Sequence, residues 1–271
     1  MTDRSRQVNI SLMNQTAPIA LVTGAAKRLG RHIALALAHA GWDVVVHYGR
    51  AQDEATQLVQ DIRALGRHAC AVQADLSDPS QVDTLIERCI SEIGLPECLV
   101  NNASMFEYDD AQTFTCATLQ AHMQVNAAAP VALATALHKA HCATPPHSTT
   151  PAVVINILDQ KLANPNPDFL SYTLSKAALQ EATRLLAQAL APQCRVVGLA
   201  PGLTLVSGDQ TEVGFHAAHR RTPLGKSSTP DDIAQAVVYL ARAHAITGTT
   251  LFVDGGQHLQ PSERDVMFLT S

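Results

Sequence analysis

Tyr172 and Lys176 stand four residues apart in the run Tyr172-Thr173-Leu174-Ser175-Lys176. That spacing puts both side chains on one face of a helix. A phenol with a pKa near ~10 is a poor acid–base group at neutral pH. An ammonium beside it favours the phenolate and brings that pKa toward a useful value. The pair therefore suits proton exchange with a reacting oxygen or nitrogen. A second feature lies near the start of the chain, in Thr23-Gly24-Ala25-Ala26-Lys27-Arg28-Leu29-Gly30. Gly24 allows a tight turn out of a strand, and Gly30 allows a helix to pack close to a sheet. A helix N-terminus at this point offers free N–H groups and a favourable dipole to a phosphate.

The elements that must position these groups alternate along the chain. Apolar strands are expected at 19–23, 42–47, 68–74, 98–101, 152–158, 195–200 and 250–254. Helical patterns fill the intervals: to about Ala40, to about Leu65, from Pro79 with Asp78 as N-cap, over 117–141, from Tyr172 to about Leu190, and after Pro230. Short buried strands alternating with helices imply βαβ units and a parallel sheet. The expectation is an α/β, three-layer, doubly wound Rossmann fold with a parallel seven-stranded sheet. Residues 1–17 are polar and aperiodic and are expected to be a flexible extension, with 18–271 forming a single domain. The segment 143–151 reads as a Pro/Ser/Thr loop, and 201–229 as a long irregular segment of the kind that forms lids.

The end of the second strand bears on cofactor choice. NAD-selective folds place an acid there for the ribose 2′-hydroxyl. This chain instead has His47-Tyr48-Gly49-Arg50, with Arg28 in the glycine loop. Two guanidinium groups and a histidine near the 2′ position suit a phosphate, which favours NADPH.

The assembled motifs resemble the short-chain dehydrogenase/reductases, and within them the pteridine reductases, over about residues 18–258. The phosphate loop carries Arg28 where most relatives have glycine, and His47-Tyr48-Gly49-Arg50 is similar to that family's second-strand signature. The resemblance implies an NADPH site formed by Gly24, Arg28, Leu29, Gly30, His47, Tyr48 and Arg50. Asp75 and Leu76 would lie on the adenine side, and Asn102, Ala103 and Ser104 beside the nicotinamide. Tyr172, Lys176 and the Pro201-Gly202 turn would complete it. It also implies a catalytic set of Asp159, Tyr172, Lys176 and Asn126, with Asn126 holding a water that links Lys176 to solvent.

Asp159, thirteen residues before Tyr172, stands where most short-chain reductases have a serine that hydrogen-bonds a substrate carbonyl. A carboxylate there would repel the negative charge that a ketone reduction builds on oxygen, whereas protonation of a ring nitrogen can use it. The expected substrate is thus a pterin- or folate-like ring, and the resemblance implies that Phe106, Asp159, Tyr172, Ser104 and Arg28 bind it. The competing readings are a ketone or 3-oxoacyl reductase, against which Asp159 speaks, and a non-catalytic NADPH sensor, against which Asn126, Tyr172 and Lys176 speak. Family members are usually homotetramers paired through the helices around 117–141 and Tyr172. The Ala177, Ala178, Ala182 and Ala187 faces would allow close approach. The family's C-terminal arginine, which reaches a neighbouring site, falls at Pro261, with Arg264 the nearest substitute.

Composition narrows the classes. The formal net charge is −5, so a basic footprint for nucleic acid is not expected. No apolar run approaches the ~18 residues of a membrane span. The six cysteines form no C-x-x-C pair, and together with the absence of a secretory pattern they suggest a cytoplasmic protein. His138/His141 and His216/His219 lack carboxylate company, and no metal is expected there.

Overall fold

The computed structural model describes residues 17–143, 150–206 and 212–269. The expected extension, apart from Ala17, and most of the 143–151 loop lie outside them. Seven strands form one parallel sheet: β1 (Ile19–Val22), β2 (Asp43–Tyr48), β3 (Ala69–Gln73), β4 (Cys98–Asn101), β5 (Ala152–Ile157), β6 (Cys194–Pro201) and β7 (Thr250–Val253). Their spatial order is β3-β2-β1-β4-β5-β6-β7. The chain order reverses between β1 and β4, so the crevice beyond their carboxyl ends is the natural ligand site of a doubly wound sheet. The expected Rossmann architecture is therefore present.

Alternation along the strands explains why both faces are covered. In β1, Ala20 and Val22 point to one face, packed against Ile33 of α1 (Arg28–His39), Leu58 of α2 (Gln52–Ala64) and Val237 of α8 (Pro230–Arg242). Leu21 points to the other, packed with Leu85 of α3 (Pro79–Glu92) and Leu133 of α5 (Ala129–Ala143). A strand buried on both faces must be apolar at every position, which is the pattern of parallel sheets. Asp78 caps α3 as expected, its Oδ1 accepting from Ser80 N at 2.9 Å, with Pro79 in the first turn.

Four segments differ from the sequence reading or add to it. The helix expected over 117–141 is two helices, α4 (Cys116–Met123) and α5, joined by a π-helical turn at Gln124–Ala128. Pro130 has no N–H to close the ordinary helical bond to the Asn126 carbonyl four residues earlier, and the widened turn absorbs the mismatch. The segment 201–229 carries a helix, α7 (Glu212–His219). Finally, α6 (Leu170–Ala189) begins two residues before Tyr172, and the chain past β7 ends in a 3-10 turn (Gln257–Leu259) and a short helix, α9 (Val266–Leu269).

Candidate active site

The phosphate loop leaves β1 through Thr23, whose Oγ1 accepts from the N–H groups of Asn102 and Ala103 at 2.9 and 3.0 Å and donates to the Val100 carbonyl. This ties the ends of β1 and β4 together. The Asn102 amide donates to the carbonyls of Thr23 and Gly24 at 2.9 and 3.2 Å, fixing the turn from the other side. Gly24 has φ +61°, where a Cβ is strained. At Gly30 a Cβ would lie 2.3 Å from the Gly24 carbonyl oxygen and 2.6 Å from Asn102 Nδ2. Only glycine permits α1 to sit this close to the loop, and the result is a backbone cradle that suits a pyrophosphate.

Arg28 opens α1 with φ +51°, the left-handed conformation that glycine adopts freely and that costs other residues roughly 1–2 kcal/mol. Its exposed side chain reaches over the cleft and Nη2 donates to the Val206 carbonyl at 2.8 Å, joining the loop after β6 to the phosphate loop.

His47 corrects the sequence reading. It is buried, its Nδ1 accepts from Gly24 N at 3.0 Å and its Nε2 faces the Ala74 carbonyl at 3.1 Å. One tautomer satisfies both bonds, so no ring nitrogen remains for a phosphate. Burial also pushes its pKa down to about 4 and keeps it neutral. His47 supports the glycine turn from beneath, and the guanidinium groups of Arg28 and Arg50 are exposed on the surface here. Tyr48, Arg50, Asp75 and Leu76 lie at the ends of β2 and β3, beyond the residues that line the cleft. Asp75 is exposed and its Oδ1 accepts from the N–H and hydroxyl of Ser77, which hold its pKa below the usual value; Leu76 is buried.

On the opposite side of the crevice, Tyr172 Oη donates to Asp159 Oδ2 at 2.8 Å. Asp159 follows β5 and its Oδ1 accepts from Lys161 N at 2.8 Å, capping a 3-10 turn (Gln160–Leu162). Lys176 Nζ donates to the Ile157 carbonyl at 2.8 Å and sits 5.7 Å from the Tyr172 ring centre. The expected lowering of the tyrosine pKa by the ammonium is not found. Burial, followed by the charge of Asp159, pushes Tyr172 well above its ordinary value. Burial lowers Lys176 to about 8 and raises Asp159. Desolvation outweighs the ammonium, because it acts against the phenolate and against the ammonium itself. Tyr172 is thus a proton-bearing phenol pointing at a carboxylate.

Asn126 is fully buried at the π turn, and all four of its side-chain hydrogen-bonding positions are occupied. Oδ1 accepts from Met105 N (2.7 Å) and Ser104 Oγ (3.2 Å); Nδ2 donates to the Met105 carbonyl and to Ser175 Oγ, both at 2.9 Å. The amide therefore fixes residues 104–105 against α6 and has no capacity left for the expected water.

Phe106 stacks on Phe169 (ring centres 4.3 Å, planes 17° apart) and meets Tyr172 edge-on at 4.7 Å. Phe169, just before α6, has φ +57° and is buried. One face of Phe106 is thereby taken by Phe169, and its remaining exposed surface borders the cleft. The cleft has a volume of about 660 Å³ and runs from the phosphate loop, past Asn102–Ser104, Asp159, Tyr172 and Lys176, to Pro201–Leu205. At Gly202 a Cβ would meet Ser227 Oγ at 2.5 Å, so this turn too requires glycine for close packing. The sequence reading missed Phe169, Lys161, Gln257 and Asp265–Met267, all of which border or support the cleft. Phe169 lies one helical turn before Tyr172, which is a usable signal; the C-terminal residues offer none.

This sheet order, a glycine-cradled crevice at its switch point, and the Tyr172/Lys176 pair define a nucleotide-dependent oxidoreductase of the short-chain type. A family model described as enoyl-(acyl carrier protein) reductase matches residues 24–258, and the chain belongs to this short-chain dehydrogenase/reductase family. It is 32% identical to pteridine reductase 1 of Leishmania tarentolae over 282 residues, covering 90% of this chain and 97% of that protein. It is 31% identical over 264 residues to the 3-oxoacyl-acyl-carrier-protein reductase FabG of Staphylococcus aureus, covering 89% and 98%. The crystal structure of FolM alternative dihydrofolate reductase 1 from Brucella canis complexed with NADP superimposes with a TM-score of 0.85 at 39% identity, covering 92% of this chain and 96% of that one.

Proposed function

We propose that this protein is an NADPH-dependent reductase of a C=N bond in a pterin- or dihydrofolate-like ring. The cradle at Gly24 and Gly30, where a side chain would collide with backbone, fits a pyrophosphate, and the NADP-bound relative supports that assignment. Bound in this crevice, the dinucleotide would supply the hydride. Arg28 and Arg50 would hold the 2′-phosphate, Asn102–Ser104 and Lys176 the nicotinamide half.

The observation that carries the substrate class is the 2.8 Å hydrogen bond from Tyr172 Oη to Asp159 Oδ2. A ketone oxygen gathering charge here would face a carboxylate and lack the donor a serine provides, a deficit of about 3–4 kcal/mol. A ring nitrogen needs a proton instead. Tyr172 bears one, and Asp159, whose own affinity for a proton burial has raised, can take part in replacing it. Phe106 would supply a stacking face of about 0.5–1.5 kcal/mol. The water expected at Asn126 would have to use its main-chain carbonyl, since the amide is occupied.

The resemblance to the FabG enzyme supports the ketone or 3-oxoacyl alternative on the same scaffold. The test is NADPH oxidation by purified protein against dihydrobiopterin, dihydromonapterin, dihydrofolate and a panel of ketones. Turnover confined to ketones refutes the pterin reading.

We further infer a cytoplasmic homotetramer. Ala177 of α6 is exposed beside Leu174 and Leu185, which suits a helix-to-helix contact between copies, whereas Ala187 packs inward with the sheet. Light scattering that gives a monomer at micromolar concentration contradicts it.

A further inference from the structure

The chain beyond β7 returns to the active site. Asp265, Val266 and Met267 form part of the cleft wall near Asp159 and Phe106. What brings them there is a charge network built on Lys161, two residues after Asp159. Lys161 is buried, and its Nζ donates to the Asp168 carbonyl at 2.6 Å and to Asp265 Oδ2 at 3.2 Å, lying 5.4 Å from the Phe169 ring centre. Asp168, also buried, accepts from Asp265 N at 2.7 Å and from Arg264 Nε at 2.8 and 3.0 Å on its two oxygens. Two cations and two carboxylates balance. A buried ammonium is expensive without such partners, so removing either side of the network leaves the other uncompensated.

Aromatic contacts extend the same docking. Phe268 lies 5.6 Å from Tyr108 and 6.2 Å from Phe169, and the Arg264 guanidinium lies 4.8 Å from the Phe268 ring. Residues 264–268 therefore rest on the same aromatic group that holds Phe106. Arg264, the nearest candidate for an arginine reaching a neighbouring site, is committed to Asp168 of its own chain.

We propose that residues 264–268 form a wall of the substrate site supplied by the chain itself, with Val266 and Met267 as specificity-determining residues and Lys161 as the positioning residue that holds them there. The wall adds the Val266 and Met267 side chains to the cleft lining, which suits a flat heterocycle with an apolar edge, while the Asp265 carboxylate is held by Lys161 Nζ on Oδ2 and by Met267 N on Oδ1. The nature of the reacting ring rests on the reductase reading above; the existence of the wall does not.

The test compares full-length wild type, Val266→Ala/Met267→Ala and Lys161→Met. With dihydrobiopterin as probe, the double variant is expected to raise KM about tenfold, the loss of roughly two methylene contacts, while kcat and the Kd for NADPH stay near wild type. If wild type turns over only a ketone such as ethyl acetoacetate, the pterin reading fails, and the same KM comparison is made with that probe. An unchanged KM in the folded double variant overturns the wall. Hydrogen exchange reads the latch without turnover. In Lys161→Met the amides of Asp265, Met267 and Phe268 should exchange faster while those of β5 and β6 do not. Wild-type exchange at all three amides overturns the role of Lys161.

Discussion

Replacing Asp159 by serine separates carboxylate-assisted protonation of nitrogen from the carbonyl chemistry common among short-chain reductases. In the wild type Tyr172 Oη donates to Asp159 Oδ2 at 2.8 Å, and the other oxygen caps the Lys161 amide. Serine can keep the cap in part, because a hydroxyl also accepts from an N–H two residues on. It cannot keep the charge-assisted partner of the phenol. A hydrogen bond to a charged group is worth about 1.5–3 kcal/mol, which corresponds to a loss of about 10- to 150-fold in kcat/KM for a pterin. Full general acid–base assistance would extend that range to about 10²–10⁴. The ketone should change in the opposite sense, because a hydroxyl donor replaces a carboxylate beside the developing oxyanion. The assay is the initial rate of NADPH oxidation with dihydrobiopterin and with ethyl acetoacetate, NADPH saturating, after thermal melting has established an intact fold. Undiminished pterin kcat/KM would refute the reasoning and reduce Asp159 to a backbone cap.

Tyr172→Phe should abolish turnover while leaving NADPH affinity intact, measured by fluorescence titration, because only the proton-bearing hydroxyl is removed. Arg28→Ala should weaken NADPH by about 10- to 150-fold and NADH much less, since one charge-assisted contact to the 2′-phosphate is lost; equal losses for the two cofactors would exclude that contact. The rate should fall as pH rises through about 8, where Lys176 loses its proton, while the Tyr172 phenol remains protonated; a flat profile to pH ~10 would remove the ammonium from the mechanism. His47 has a folded pKa of about 4 against 6.5 unfolded, so the unfolded chain binds the extra proton between these values. Stability present above pH 6.5 should therefore decline by roughly 3 kcal/mol as pH falls toward 4. Urea unfolding of His47→Gln should show a shallower slope in that window.

The parallel sheet was legible in the sequence because strands buried on both faces must be apolar throughout, and helices between them must carry an amphipathic period. The glycines were legible because Gly24 and Gly30 answer to local demands, a left-handed turn and a close packing distance, that one residue type meets. Tyr172 and Lys176 were legible because four residues on a helix is a fixed geometry. Contacts between elements carry no such period. The inward turn of His47 depends on Gly24 and Ala74, brought beside it by three different strand ends. The capture of the Asn126 amide by Met105 and Ser175 depends on α4, α5 and α6 meeting at the π turn. The direction of the Tyr172 shift was set by burial, which outweighs the neighbouring ammonium and which no spacing reveals. The return of Asp265 to Lys161 spans 104 residues and rests on contacts each made once, the charge pair with Lys161 and the hydrogen bond to Asp168. A strand or helix repeats its requirement every few residues and so writes it into the sequence, whereas a contact made once, between distant segments, is fixed only when the whole chain has folded.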